Sequence, residues 1–469
     1  MTTEKNPKAL SRRAMLKLSG LVAAGTVLAS CQQATTEAPT EAPVEEAPAE
    51  EVAPTPEPAQ VTGTVTVMHF RHEFTEEQEA QFETDNPGIQ IEFVQAEESR
   101  FFAMFAAGTP PDLYRLQAPS IPGMLARGLL YNLQPYFDTS ELIKMDDLAP
   151  ANDYYKAQSP LEVGTGPIYG MCKDFSPDFT IYTYSKVFED NGVSLPSDAE
   201  AMSLDQVFDL AKKTTTYEGD RLVTLGYGYE EAWVDRIWMN HLEEIGKKLY
   251  SEGFDKIVIA GDEDNKKIVK FFYDLAAEKV VPSSVNPSPN GWFGTDFNAG
   301  IMAMAQYGFW YSAMAETDQN RGGVMMMPAP TWTGVRRDPT MTATGMIMTS
   351  ASKVPDAAFK VFEYYNAGQP SIDRAGSGWG VPALKSQWNL IPQGTDFQKQ
   401  AYKVLQGELA LETPPLQFNP FLGETVVSNS WKKHLDLALK GDTSFDEMIA
   451  NIETEVNLVI RDNIDAMIG

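Results

Sequence analysis

The chain has 469 residues, 43% of them apolar, and carries 37 Lys+Arg against 65 Asp+Glu for a formal charge of −28. That length favours two or three lobes over one core, and the apolar content excludes wholesale disorder. So large an acid excess repels phosphates and argues against a nucleic-acid partner. Two cysteines, Cys31 and Cys172, cannot build a disulfide framework, and four histidines leave little material for a His-rich metal site.

Residues 1–30 hold Lys5, Lys8, Arg12, Arg13 and Lys17 against the single acid Glu4. The apolar stretch from Leu18 to Leu28 is too short to cross a bilayer and reads as the h-region of an export signal. Ser11-Arg12-Arg13-Ala14-Met15-Leu16-Lys17 resembles a twin-arginine motif, with Met15 where Phe or Leu is commoner, and general secretory export is the alternative. Leu28-Ala29-Ser30-Cys31 resembles a bacterial lipobox, which implies lipidation of Cys31 and a membrane anchor; an ordinary cleaved signal with an incidental Cys is the alternative. Residues 31–60 form an acidic tether: positions 32–60 contain seven Ala, seven Glu and six Pro, with no Lys or Arg. Such a composition buries no apolar face and stays extended, holding a soluble domain off the membrane.

From residue 61 the pattern alternates. Val65 and Val67 lie in a short β-run, and Thr75-Glu76-Glu77-Gln78 is a capping box whose helix stops near Asn86-Pro87-Gly88. Ile89, Ile91 and Phe93 alternate as a half-buried strand. Phe101, Phe102 and Phe105 then lie on a helix ending at Gly108. Strand, helix, strand, helix predicts mainly parallel sheets with helices over their faces. Ser203-Leu204-Asp205-Gln206 and Ser444-Phe445-Asp446-Glu447 are further capping boxes, the last opening a helix with Met448, Ile452, Val456 and Val459 on one stripe. The methionines Met325, Met326, Met327, Met341, Met346 and Met348 read as core strand.

Several segments, in order, resemble the extracellular solute-binding proteins of bacterial ABC importers, in their sugar-binding family. They include Asn86-Pro87-Gly88-Ile89, Ala106-Ala107-Gly108-Thr109-Pro110-Pro111-Asp112 and Gly128-Leu129-Leu130. They continue with Gly166-Pro167-Ile168-Tyr169-Gly170, Tyr184-Ser185-Lys186-Val187-Phe188, Gly308-Phe309-Trp310 and Gly376-Ser377-Gly378-Trp379-Gly380-Val381-Pro382, and run to the C-terminal 437–456 stretch. Ser185 and Ile301 depart from the family's usual residues. The resemblance implies a two-lobed α/β fold of the periplasmic-binding-protein type, joined by a multi-strand hinge. Lobe one would comprise 61–173 and 345–411, and lobe two 176–341 and 416–469. It also implies a monomeric, lipid-anchored receptor outside the cytoplasm that captures a sugar in the cleft by hinge closure and passes it to an ABC permease, with no enzymatic step and no cofactor.

A sugar needs flat aromatic platforms and groups that exchange hydrogen bonds with hydroxyls. Trp310, after Gly308 in a segment that resembles the family's, and Trp379, flanked by Gly378 and Gly380, are the first candidates, followed by Trp233 and Tyr311. The polar candidates are His69 and Arg71 after the first strand, Gln117 a few residues after the Pro111-Asp112-Leu113 turn, and Asp174 where the chain first crosses the hinge. Core burial is the alternative for each aromatic, and a solvated strand end for His69 and Arg71. Asp112 reads as a turn-bracing carboxylate and Cys172 as a small buried residue. A zinc pair of His69 and His72 is a poor reading, since no further His or Cys lies nearby. Other function classes are a tethered glycoside-hydrolase-like enzyme, which needs two carboxylates flanking one bond, and a binder of a polyamine, peptide or metal chelate.

Overall fold

The β-branched run after Gly63 becomes the first of the strands, which in chain order are β1 (Gly63–His69), β2 (Ile89–Gln95), β3 (Leu113–Leu116), β4 (Lys156–Ser159), β5 (Glu162–Ile168), β6 (Gly170–Cys172), β7 (Asp174–Phe175), β8 (Ile181–Tyr184), β9 (Thr216–Glu218), β10 (Arg221–Gly228), β11 (Met302–Gln306), β12 (Val324–Met327), β13 (Gly345–Met348) and β14 (Val381–Pro382). The computed structural model describes residues 60–317 and 323–468, within the unit Ala59–Gly469. The expected export signal, Cys31 and the expected tether up to residue 59 lie outside the described residues.

Two five-stranded sheets form, ordered β2-β1-β3-β13-β6 and β12-β8-β11-β10-β9. In the first, β1 is parallel to β2 and β3, while β13 is antiparallel to both β3 and β6. In the second, β10 is parallel to β11, and β8 is antiparallel to β11 and β12. The sheets are therefore mixed, and the reversed strands have a common cause. β8 and β13 are the strands that the chain enters by crossing from the other sheet. It leaves β6 and β12 at their carboxyl ends, so the incoming strand starts at that same edge and runs against its neighbours. The carboxyl ends of β1, β3 and β6 thereby face those of β10, β11 and β12 across the hinge, where open α/β sheets present ligands.

Among the described residues the chain passes between the sheets three times: between β6 and β8, between β12 and β13, and between β14 and the helix Asp396–Leu409. The antiparallel ribbon β7–β14 links the first and third passages. That third passage comes earlier than the expected boundary at 411. The helix Asp396–Leu409 covers the second sheet, because Gln400 pairs with the backbone of Met326 through its amide oxygen (3.0 Å) and nitrogen (2.6 Å) and so caps the open edge of β12. Ala401, Val404 and Leu405 on its inner face are buried.

The local signals act as the residues dictate. Thr75 and Ser203 form reciprocal capping boxes with Gln78 and Gln206, and Ser444 exchanges bonds with Glu447. Gly108 ends the helix Glu98–Ala106 with φ +76°, and only Phe101 of its three phenylalanines is fully buried. The last stripe runs through Met448, Ile452, Val456 and Ile460, with Val459 turned half out. Met326, Met327, Met346 and Met348 are core strand residues, and Cys172 is buried. Asp112 accepts from the Thr66 amide at 2.9 Å and from Ser352 Oγ at 2.6 Å, bracing the turn.

At Gly226 in β10 the helix Leu204–Thr214 packs directly on the strand: an added Cβ would lie 2.1 Å from the Ala211 carbonyl oxygen. Gly226→Ala is expected to cost about 3 kcal/mol in urea unfolding, by overpacking. At the carboxyl edge of the first sheet, Arg115 binds Glu73 bidentately at 3.0 and 3.1 Å. Burial pushes the Glu73 carboxyl up, but Lys173 and Arg115 outweigh it and hold the group at about 2. The stability this pairing contributes is present above the ordinary value of 4.5 and is lost as pH falls toward about 2. Glu73→Gln should therefore lower stability by about 3 kcal/mol at neutral pH, and the deficit should shrink to nothing across that acidic window in a pH series of unfolding curves.

Candidate functional site

Where β10 and β11 end side by side, a pocket of about 130 Å³ opens, lined by Asp178, Glu230, Trp233, Trp292, Gln306, Tyr307, Gly308 and Trp310 among others. Each ring is held by its own local device. Trp310 follows the β11 end and opens the helix Tyr311–Thr317, its indole packed edge-on to Tyr307 at 5.3 Å between centroids. Trp233 closes the 3₁₀ turn Glu231–Trp233, which Glu230 caps by accepting from the Ala232 amide. The Arg236 guanidinium lies 5.4 Å from its ring. Trp292 precedes the helix Phe293–Asn298, and its indole N–H donates to Glu230 Oε2 at 3.2 Å, which holds a ring that is 40% exposed.

The first sheet's lobe contributes Trp379. Gly378 takes φ +74° after the helix Gln369–Ser377, so the chain turns back and leaves the next indole 41% exposed. Its ring stands 5.9 Å from that of Trp310. Ser312 Oγ donates to the Gly378 carbonyl at 3.2 Å beside this contact. The two lobes thus meet through aromatic faces. Asp174 sits next to the same loop: a Cβ on Gly380 would lie 3.2 Å from its Cβ. Its carboxylate pairs with Lys173.

The polar floor is Asp178. Ser176 Oγ, Thr340 Oγ1 and the Met341 amide donate to its carboxylate at 2.6, 3.1 and 2.6 Å. Burial pushes the group up to about 6 in spite of these donors. Gly308 has no room for a side chain, since its Cβ would lie 2.0 Å from Asp178 Oδ1, so only glycine lets the β11 loop settle onto this carboxylate. Gln306 accepts from Tyr227 Oη at 3.3 Å, and the Tyr307 hydroxyl is buried with no hydrogen-bond partner among the described residues. A buried unpaired hydroxyl beside a pocket is suited to meet a ligand's polar group.

The sequence candidates separate accordingly. Trp310, Trp379 and Trp233 come together, and Asp174 lies beside Trp379. Tyr311 does not line the pocket: it is 1% exposed and stacks on Tyr307 at 4.1 Å, so Tyr307 presents its ring while Tyr311 supports it. His69 is fully buried against Phe74 and Tyr365, and burial lowers its pKa to about 3, leaving a neutral core imidazole. Arg71 is tied to its own lobe, paired with Glu79 and 3.4 Å above the Phe93 ring. Gln117 is half-buried at the end of β3, at the start of the 3₁₀ turn Ala118–Ser120. Sequence reasoning missed Trp292, Tyr307, Glu230, Gln306 and Asp178. Trp292 follows Gly291 as Trp379 follows Gly378, which is the signal that would have found it.

The family model of the bacterial extracellular solute-binding proteins matches residues 71–367, well over half of the chain. No curated protein matches it. Solved structures with the same fold include an ABC substrate-binding protein of Listeria monocytogenes in complex with cycloalternan, at 19% identity and TM-score 0.69 over 85% of this chain and 99% of that one. The sugar-binding protein MalE of Xanthomonas citri is similar at 16% identity and TM-score 0.66, over 86% of this chain and 98% of that one. Maltose-bound MalE3 of T. maritima is similar at 19% identity and TM-score 0.62, over 84% and 99%. These likenesses bear on the fold: two α/β lobes with mixed sheets flanked by helices. With the family match over 71–367, they place the chain among the bacterial extracellular solute-binding proteins.

Proposed function

We propose that the protein is the lipid-anchored, substrate-binding component of an ABC importer, and that it captures a sugar or oligosaccharide between its lobes without altering it. The observation that carries this reading is the set of indoles at the strand ends. Trp233, Trp292 and Trp310 on one lobe and Trp379 on the other surround buried hydrogen-bonding groups. Flat apolar faces suit the C–H surfaces of pyranose rings, and Asp178, Glu230, Gln306 and the free Tyr307 hydroxyl suit a rim of hydroxyls. Because the aromatic faces come from both lobes, a ligand stacked between them favours the closed arrangement over the open one, and three chain passages provide the hinge. The solved neighbours with cycloalternan and maltose support the sugar class by analogy of fold. The acidic tether and Cys31 would hold this receptor near its permease as a monomer.

Thermal-shift screening against maltodextrins and related oligosaccharides should find a ligand that stabilises the protein and is recovered unchanged. Turnover of the oligosaccharide would sink the binder reading. In calorimetry with that ligand, Trp310→Ala and Trp379→Ala should each weaken affinity by about 10- to 100-fold, or about 1.4–2.8 kcal/mol. Unchanged affinity in both would remove the site. Cys31→Ser should move the protein from the membrane to the soluble fraction of fractionated cells, whereas an incidental cysteine would leave its distribution unchanged.

A further inference from the structure

The rings around the pocket at the ends of β10 and β11 stand as walls rather than as one flat platform. Tyr307 lies 5.3 Å from Trp310 and 6.3 Å from Trp292 between ring centroids, with the ring planes inclined at 79° and 68°. Trp233 lines the same space of about 130 Å³. Three indoles and a phenol therefore border one small chamber. Aromatic faces carry negative electrostatic potential, so a compact cation among several rings is attracted by more than one of them.

The charges on the lining are of one sign. Asp178 and Glu230 contribute carboxyl groups, and no Lys, Arg or His is among the described lining residues. Arg236 stands beside the Trp233 ring at 5.4 Å but is only 1% exposed. Its guanidinium is committed to the Met341 carbonyl at 3.0 Å and to Glu424 Oε2 at 3.2 Å. Glu230 is half-buried, and its two oxygens take one donor each at 3.2 Å, the Ala232 amide and the Trp292 indole N–H. A carboxylate oxygen has a second lone pair to offer. Asp178, though pushed up to about 6 by burial, is mostly ionised at neutral pH. Such a chamber repels an anion and gives a neutral hydroxyl only hydrogen bonds. A cation gains both the Coulombic attraction and the pull of the rings.

We propose that this pocket is an ammonium-selective subsite, which takes the positively charged amine or methylated-ammonium end of the ligand among Trp233, Trp292 and Trp310 and beside Glu230. The inference rests on the reading of this pocket as the site of solute capture, and it narrows the solute to a cationic one. Two kinds of solute carry that head group, an amino sugar and a free alkylammonium compound. A neutral sugar that binds with no preference for charge leaves the capture reading standing and removes this inference alone.

The test compares two pairs of probes by calorimetry on the purified protein. Choline and 3,3-dimethylbutan-1-ol share a shape and differ by one positive charge, and glucosamine and glucose differ chiefly by an ammonium group in place of a hydroxyl. In at least one pair the cation should bind saturably and about tenfold or more tighter than its neutral counterpart. Tighter binding of glucosamine than of choline assigns the subsite to an amino sugar, and the reverse order to a free alkylammonium compound. Glu230→Gln and Trp292→Ala should each weaken the tighter cation about fivefold or more. Should Glu230→Gln lower Tm, Trp292→Ala carries the test, since that ring is 40% exposed. Equal affinities within both pairs, no saturable binding of either cation at tens of millimolar, or a cation affinity that Trp292→Ala leaves unchanged would each overturn the proposal.

Discussion

The carboxylate of Asp178 is the interaction on which the arrangement turns. It lies in the first passage between the lobes and accepts from Thr340 and Met341 in the second, so it ties together two segments that are over 160 residues apart in sequence. A buried carboxylate is stable only when its lone pairs are met, and Ser176, Thr340 and the Met341 amide meet them. Asp338 repeats the device by taking the Phe179 amide, and the Tyr154 hydroxyl donates to the Thr340 carbonyl and accepts from the Leu416 amide. The hinge is thus held by directional polar contacts in a dry setting, and these constrain geometry where apolar packing alone would let the segments slide.

That same carboxylate forms the floor of the aromatic pocket, which joins the hinge to the site. Gly308 rests against Asp178, and two residues later Trp310 is delivered to the rim. The strand directions reinforce this. Both sheets present carboxyl ends to the hinge edge, so loops from either lobe converge there, and the indoles of Trp292 and Trp379 stay partly exposed. Large rings left 40% and 41% exposed forfeit burial energy in the free protein. Their retention fits a surface whose partner is a ligand and the opposite lobe.

Much of this was legible in the chain, because it rests on short-range physics. Capping boxes at Thr75, Ser203 and Ser444, the period-two run of β2 and the Gly108 stop depend on neighbours within four residues, so composition and spacing suffice to find them. Trp379 stood out for a similar reason, as the flanking Gly378 and Gly380 mark a turn that can display it, whereas Trp310 stood out through the family-like segment after Gly308. His69 and Tyr311 were expected at the cleft and lie in the core. Whether a side chain at a strand end or helix start turns inward depends on what packs over it, here Tyr365 and Tyr307.

Local composition and periodicity are enough to suggest an export-like leader and an acidic tether, and to read the strand and helix grammar and the supply of indoles. Tertiary structure alone decided which lobe the helix Asp396–Leu409 joins, since that depends on Gln400 meeting the open edge of β12, some 70 residues earlier. It also decided that Asp178, Glu230, Trp292 and Tyr307 share one pocket and that Asp338 and Glu408 share another. Those groups are brought together by chain crossings, and no periodicity within one segment encodes a contact made between segments that far apart.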